Sequence, residues 1–234
     1  MNLIKKTPET IKFTGEINLS LANAIRRSIC EIPILAIDEC DFYKNDTALY
    51  DEIIAHRLGL VPLKNQKIKK GETIELKLKA KGKEDGIEVL SGSLGELSVY
   101  SEMPIVLLGK NQEIELVARA TVGQGLEHAK YIPGIMYYKH LPKIKISKEG
   151  ESYLELAKSY PEIFEFDKKL KVKDASSCSF DSDDVKDYPG IEITFDNNLV
   201  FQIESWGQIT PKDIFLESCK ALKSNLSELT KAIK

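Results

Sequence analysis

Residues 210–234, TPKDIFLESCKALKSNLSELTKAIK, constrain this 234-residue chain more tightly than any other stretch. Phe215, Cys219, Leu222, Leu226, Leu229 and Ile233 recur at spacings of 4, 3, 4, 3 and 4. That is a heptad seam, continuous only if the segment is one helix. Thr210 can cap its first amides, and Pro211 fits the first turn because it has no N–H to lose there. Asp213 stands three residues past the cap, where it can return a hydrogen bond. A strict seam is narrower than the stripe a core helix usually buries. It can close on its own domain or on a partner helix, and spacing alone does not choose.

The other end of the chain has a matching oddity. TIKFTGEINL alternates apolar and polar residues around Ile11 and Phe13 and predicts a half-buried strand. LANAIRRSICEIPILAIDE, residues 21–39, then predicts a short helix that becomes a strand. Asn18 or Ser20 can cap it. Leu21, Ile25, Ser28, Ile29 and Ile32 share one face at 3.6 residues per turn. Pro33 stops the helix, since the residue before a proline is pushed out of the helical region. On the opposite side lie Asn23, Arg26, Arg27 and Cys30. Two adjacent arginines serve no purpose in closing a core, so they imply something outside it.

Between these ends the chain is rich in strands. TALYDEIIAHRLGLVPL predicts a helix with Leu49, Ile53, Ile54, Arg57 and Leu58 close together, capped near Gly59 and stopped by Pro62. ETIELKLKA puts Ile74, Leu76 and Leu78 on one strand face and Glu75, Lys77 and Lys79 on the other. ELSVYS and EIELVARATV predict further strands separated by glycine-containing turns. From 150 to 190 the chain is polar and weakly periodic, with an acidic cluster at Asp181, Asp183 and Asp184. A surface excursion or small subdomain, partly mobile, is expected there. Strands return in IEITFDNNLVFQIES before the terminal helix.

Composition removes several functions. Lys and Arg number 33 against 36 Asp and Glu, a net charge of −3, whereas a dedicated nucleic-acid binder gathers positive charge into a stripe. The start, MNLIKKTPET, has no apolar run of signal-peptide length, and no later stretch could span a bilayer; an intracellular, cytoplasmic chain is expected. Cys30, Cys40, Cys178 and Cys219 are scattered without a CxxC pair, which suits reduced thiols better than a metal site. No GxxxxGK[ST] loop is present, and no GxGxxG opens a helix. Gly123-Gln124-Gly125 in VGQGLEHAKYIPG falls at a strand end with no periodic helix behind it. His56, His128 and His140 have no metal-binding spacing, and no serine or cysteine sits in a nucleophile motif. HAK, with His128 and Lys130, could hold an anion or face a partner. Catalytic and metal residues are therefore expected to be absent.

Four segments in order, LANAIRRSICEIPILAIDE, LYDEIIAHRLGLVPL, VGQGLEHAKYIPG and FQIESWGQITPKDIF, resemble the successive signatures of the alpha-like assembly subunits of cellular RNA polymerases. The resemblance is specific because it covers most of the chain. It implies an α+β fold with a discontinuous dimerisation domain, 1–43 and 197–234, the second segment bearing the heptad helix. Between them it places a largely antiparallel β-rich domain at 44–150. A reduced insert and return strand would fill 151–196. The implied function is that of a non-catalytic scaffold of DNA-dependent RNA polymerase. It would heterodimerise with the small alpha-like subunit, called L in archaea, through Phe215, Cys219, Leu222, Leu226, Leu229 and Ile233. Asn23, Arg26 and Arg27 match the motif that meets the second-largest catalytic subunit, where charge-assisted hydrogen bonds would form. His56, Arg57, Gln124, His128 and Lys130 are implied as further subunit contacts, although strand-to-helix packing could require the same residues. Small polymerase subunits N and P are implied partners, DNA only through the holoenzyme.

Many archaeal relatives in this family carry an insert whose cysteines hold iron–sulfur clusters. Here KKLKVKDASSCSFDSDDVKDYPG keeps only Cys178, fewer than the three or four thiolates a cluster takes, so no cluster is expected. Two other functions compete. A free-standing homodimeric transcription regulator would set Arg26 and Arg27 on DNA, against the acidic balance. A metal-dependent enzyme would use Asp181–Asp184, without a companion base.

Overall fold

In the computed structural model, residues 1–233 are described except 67, 69, 70, 181 and 182. In chain order the elements are β1 (Asn2–Lys6), β2 (Thr10–Gly15), α1 (Leu19–Arg27), β3 (Ile34–Asn45), α2 (Asp51–Gly59), β4 (Ile74–Lys81) and β5 (Ile87–Leu90). There follow β6 (Pro104–Leu108), β7 (Glu113–Gly123), β8 (Gly134–Ile146), α3 (Leu154–Ser159), β9 (Phe164–Asp167), β10 (Lys169–Val172), β11 (Ile191–Ser205) and α4 (Pro211–Ala232). The architecture is α+β with antiparallel pairing, as expected. No described helix is long and apolar enough to cross a membrane.

Contacts divide the chain into two compact units. The first comprises Met1–Lys6, Ile11–Ala22 and Tyr137–Gln202. A sheet in the order β1-β2-β11-β8 accounts for most of its strands, with Leu3 opposite Phe13 in the amino-terminal hairpin. Phe13 stacks on Phe201 with ring centres 5.2 Å apart. β11 is a single 15-residue strand, uninterrupted by its Asp-Asn-Asn stretch. The polar region expected to form a surface excursion or a small subdomain contains an apolar core. Leu156, Ile163, Phe164, Leu170, Cys178, Val185, Ile191 and Ile193 are all buried together. The β9–β10 hairpin and α3 contribute to it. Its apolar residues are spaced irregularly because they come from turns and short elements, so no periodic signal announces them.

The second unit comprises Thr7–Thr10, Asn23–Met136 and Ile203–Lys234. Its sheet runs β3-β7-β4, antiparallel throughout. Leu35 faces Val122 and Ile37 faces Ala120, while Leu76 and Leu78 face Ala118 and Leu116. Ile54 and Leu58 of α2 join these residues in one cluster. The alternation of β4 holds, with Leu76 and Leu78 buried and Glu75, Lys77 and Lys79 exposed. α2 is shorter than expected. Leu49 precedes it, Ile53 faces solvent, and Gly59 is its last helical residue with Leu60 as cap.

ELSVYS is not a strand. Residues 96–101 form a turn with one isolated bridge, Leu63 to Ser98, outside the named strands, and the strands lie on either side of it, as β5 and β6. The buried hydroxyls of Ser91 and Ser98 both donate to the Tyr100 carbonyl, Ser98 at 2.7 Å. Such side-chain-to-backbone bonds compete with ladder formation and curl the segment.

α1 begins where Asn18 Oδ1 accepts the Ser20 N–H at 2.8 Å. Its α-helical part ends at Arg27, and a tighter 3-10 turn over Ser28–Glu31 leads to an extended Ile32 before Pro33. Ile25, Ser28, Ile29 and Ile32 are buried as expected. Leu21 is not: it is 49% exposed, and the small Ala22 is fully buried instead.

Candidate functional site

The residues singled out in the sequence lie on α1, α2, α4 and the loop at 123–131. On α1, Arg26 folds back on its own turn, its Nε and Nη2 donating to Asn23 Oδ1 at 3.1 and 3.0 Å. That fork aligns the guanidinium while leaving other N–H groups unspent. Arg27 is exposed, and its side chain forms no hydrogen bond or ion pair among the described residues. Both arginines lie in the last turn of the helix, where the macrodipole favours a cation by some tenths of a kcal/mol. One arginine would satisfy that preference; the second has no task within the described chain.

The glycine-rich loop is bound inward. Gln124 Nε2 donates to the Glu31 carbonyl at 2.8 Å. His128 Nδ1 accepts the Lys130 N–H at 3.1 Å and so caps the 3-10 turn at Ala129–Tyr131. Lys130 Nζ pairs with Asp38 and lies 5.1 Å from the centre of the Tyr131 ring. The bond from Lys130 holds the Asp38 carboxyl below the usual range, against a burial effect that opposes it. Gly123 and Gly125 are required by close approach: a Cβ on either would stand 2.5 Å from Tyr131 or 2.6 Å from Ile132. The glycines admit side chains, not a phosphate. Outward the loop offers Leu126, 73% exposed, together with the exposed Glu127, His128 and Ala129.

His56 and Arg57 of α2 are both exposed, and Arg57 Nη2 donates to the Pro104 carbonyl at 2.6 Å. Gln124, Lys130 and Arg57 thus spend side-chain donors within the second unit, while Arg27, His56, Arg57 and His128 are all exposed.

α4 starts as expected, Thr210 Oγ1 accepting the Asp213 N–H at 3.2 Å. Its buried residues are Pro211, Ile214 and Ser218, a stripe lying beside the heptad seam. Phe215, Cys219 and Leu222 are half-buried. Leu226 and Leu229 are each 57% exposed and Ile233 is 77% exposed. Asn225 Nδ2 donates to the Glu31 carboxylate on the same flank of the helix as the buried stripe.

Inspection of the sequence missed a cavity of about 310 Å³ in the second unit, lined by Leu60, Tyr100, Met103, Ile132, Trp206 and Gln208 among others. Gln208 Oε1 is buried without a partner among the described residues. The single Trp beside a glycine was the available signal, but nothing local showed that Leu60 and Tyr100 would join it.

Among the described residues no group of three or more His, Cys, Asp or Glu is placed to hold a metal ion. Asp181 lies outside the described residues, and Asp183 pairs with Lys186 at 2.9 Å. All four cysteines are free thiols. Burial pushes the Cys40 thiol up to about 11 and raises that of Cys178 as well. Cys178 is the single cysteine in its core cluster, so among the described residues its surroundings do not supply the three or four thiolates an iron–sulfur cluster takes.

Antiparallel sheets, a long carboxy-terminal helix and an exposed apolar stripe on that helix are the features of an α+β dimerisation domain. Residues 13–226 match the RNA polymerase Rpb3/Rpb11 dimerisation domain, and the chain belongs to that family. Archaeal RNA polymerase subunits are among its relatives. DNA-directed RNA polymerase subunit Rpo3 of Pyrococcus furiosus is 33% identical over 99% of this chain and 97% of its own length. Rpo3 of Methanothermobacter thermautotrophicus is 33% identical over 96% of this chain and 95% of its own. Rpo3 of Pyrococcus horikoshii is 40% identical over 68% of this chain, a stretch spanning 66% of that relative. The chain is an RNA polymerase subunit of this type.

Proposed function

We propose that the chain is a non-catalytic assembly subunit, pairing with the small alpha-like subunit L through α4 and docking the second-largest catalytic subunit through the polar side of α1. In this reading 1–43 and 197–234 carry dimerisation, and 44–150 is the inserted section. One observation carries the proposal: the last third of α4 and its cap present Leu226, Leu229 and Ile233 to solvent in heptad register. Obligate interfaces are hydrophobic, and a helix with an apolar stripe left uncovered calls for a partner helix. Arg26, preset by Asn23, and Arg27, unpartnered, support the second contact, since bidentate guanidinium bonds suit carboxylates and carbonyl groups. His56 could extend it. For Gln124, His128, Lys130 and Arg57 the internal bonds favour a supporting role, holding those surfaces in shape.

The test separates the two contacts. Arg26→Glu with Arg27→Glu should leave the pair with L intact and abolish recruitment of the second-largest subunit, because like charges would then meet across a desolvated contact. Loss of pairing with L, with an unfolded chain, would make the arginines structural and overturn the second contact.

A further inference from the structure

The first compact unit contains a hollow of about 330 Å³ lined by Lys12, Tyr137, Lys139, Glu162, Ser176 and Ser177 among others. Its two lysines are unequally matched. Lys12, whose side chain is 12% exposed, donates to Ser177 Oγ at 3.0 Å and stands 3.7 Å from an Asp174 oxygen. That carboxylate is already shared among the Ser176 N–H at 2.9 Å and the Ser176 and Ser177 hydroxyls at 2.6 and 2.7 Å. Lys139 donates to the Cys178 carbonyl at 2.6 Å and forms no ion pair among the described residues.

A half-buried ammonium without a counter-ion is costly, and a second ammonium beside it adds repulsion. Burial, and next the Lys12 charge, hold Lys139 below the ordinary lysine pKa. Each ammonium has three N–H donors. One on each is accounted for by Ser177 and Cys178, which leaves donors on both for a ligand in the hollow. A volume of about 330 Å³ lies at the small end of ligand pockets, and the exposed Glu162 in the lining repels extended polyanions.

We propose that this hollow is a binding site for a small phosphate-type oxyanion, held between Lys12 and Lys139. Several oxygens and a double negative charge match two ammonium groups better than chloride does. Bound phosphate supplies the counter-ion that Lys139 lacks.

The full chain is melted in inorganic phosphate and in chloride at the same ionic strength. Phosphate should raise Tm by several degrees beyond chloride. Lys139→Met should lose that increment and Lys139→Arg should keep it. No phosphate-specific increment in the wild type, or an equal one in Lys139→Met, would overturn the proposal. If circular dichroism shows that Lys139→Met does not fold, Glu162→Gln decides instead: removing the acid should tighten phosphate binding several-fold, and unchanged affinity would overturn the site. Glycerol 3-phosphate run in parallel distinguishes the source. Binding at least as tight as phosphate points to a phosphate monoester, weaker binding points to the free ion, and binding of neither refutes the site.

Discussion

The two halves of α4 have similar spacing and opposite fates. Between Pro211 and Ser218 the helix is used by its own chain, with Ile214 and Ser218 fully buried. Beyond Leu222 every described residue is exposed, including three large aliphatic ones. Moreover, the stripe buried by the chain is not the heptad seam but its neighbour, one residue over. A helix can carry two apolar faces, and the one with the more regular repeat need not be the one its own fold covers. Regularity reports a straight partner; a packed globular surface is irregular and uses whatever side chains fit it.

The largest way to break this contrast is Leu226→Glu. If a partner helix covers the seam, the change removes about 1.5–3 kcal/mol of apolar burial and adds the desolvation of a carboxylate. Association with subunit L should weaken by orders of magnitude, measured by co-expression and pull-down, with circular dichroism unchanged. Undiminished binding would mean that the exposed half is not the interface.

Ile214→Ala against Leu226→Ala sharpens the same comparison in the isolated chain. Ile214 is fully buried. Its truncation should cost about 2–5 kcal/mol in denaturant unfolding, while Leu226→Ala should stay within about 0.5 kcal/mol. Equal costs would erase the distinction between the halves.

Cys219 gives a covalent readout at the border between them. It is half-buried in the free chain, and burial raises its thiol pKa. It should alkylate slowly in the free chain at alkaline pH and stop reacting once a partner covers the seam. Cys40, pushed up to about 11, should react slowly in both states. Mass spectrometry after timed alkylation checks both, and a Cys219 rate unaffected by the partner would count against coverage.

The smallest effect separates α4 from the sheet. Glu113 accepts from Lys44 and Lys81 at 2.7 and 2.6 Å, and these bonds lower its pKa from the ordinary 4.5 to about 2. Because the folded pKa is depressed, its contribution is complete above the ordinary value and is lost as pH falls through about 2. Carboxyl NMR should show Glu113 titrating near 2, with the environment of Leu226 unchanged across the range. A Glu113 midpoint near 4.5 would show that the lysine pairs do not hold in solution.

Much of this was legible because local physics dictated it. The α4 cap needs only Thr210, Pro211 and Asp213 in sequence order, and the β4 alternation needs only period-two burial. Arg26 and Arg27 were noticeable because charge opposite an apolar stripe is a local contrast. The failures share a cause. ELSVYS had strand-like residues, yet Ser91, outside the segment, helped turn it into a loop. The core around Phe164 was invisible because its members come from several short elements without a common period. Lys130 and Arg57 resembled free interface cations until Asp38 and the Pro104 carbonyl, distant in sequence, were brought to them.

The sequence by itself determined the elements and the stripes: a capped terminal helix, a heptad seam, a helix halted by Pro33, and strands with one apolar face. These follow from backbone sterics and from spacings of 2 and 3.5–3.6 residues, which act over a few neighbours. Only the tertiary structure decided which stripe of α4 is consumed and which is left open, and which cations are already paired. Those outcomes depend on contacts between residues far apart in the chain. Adjacent stripes on one helix differ by a single residue in register, too little for local pattern to tell a core face from an interface.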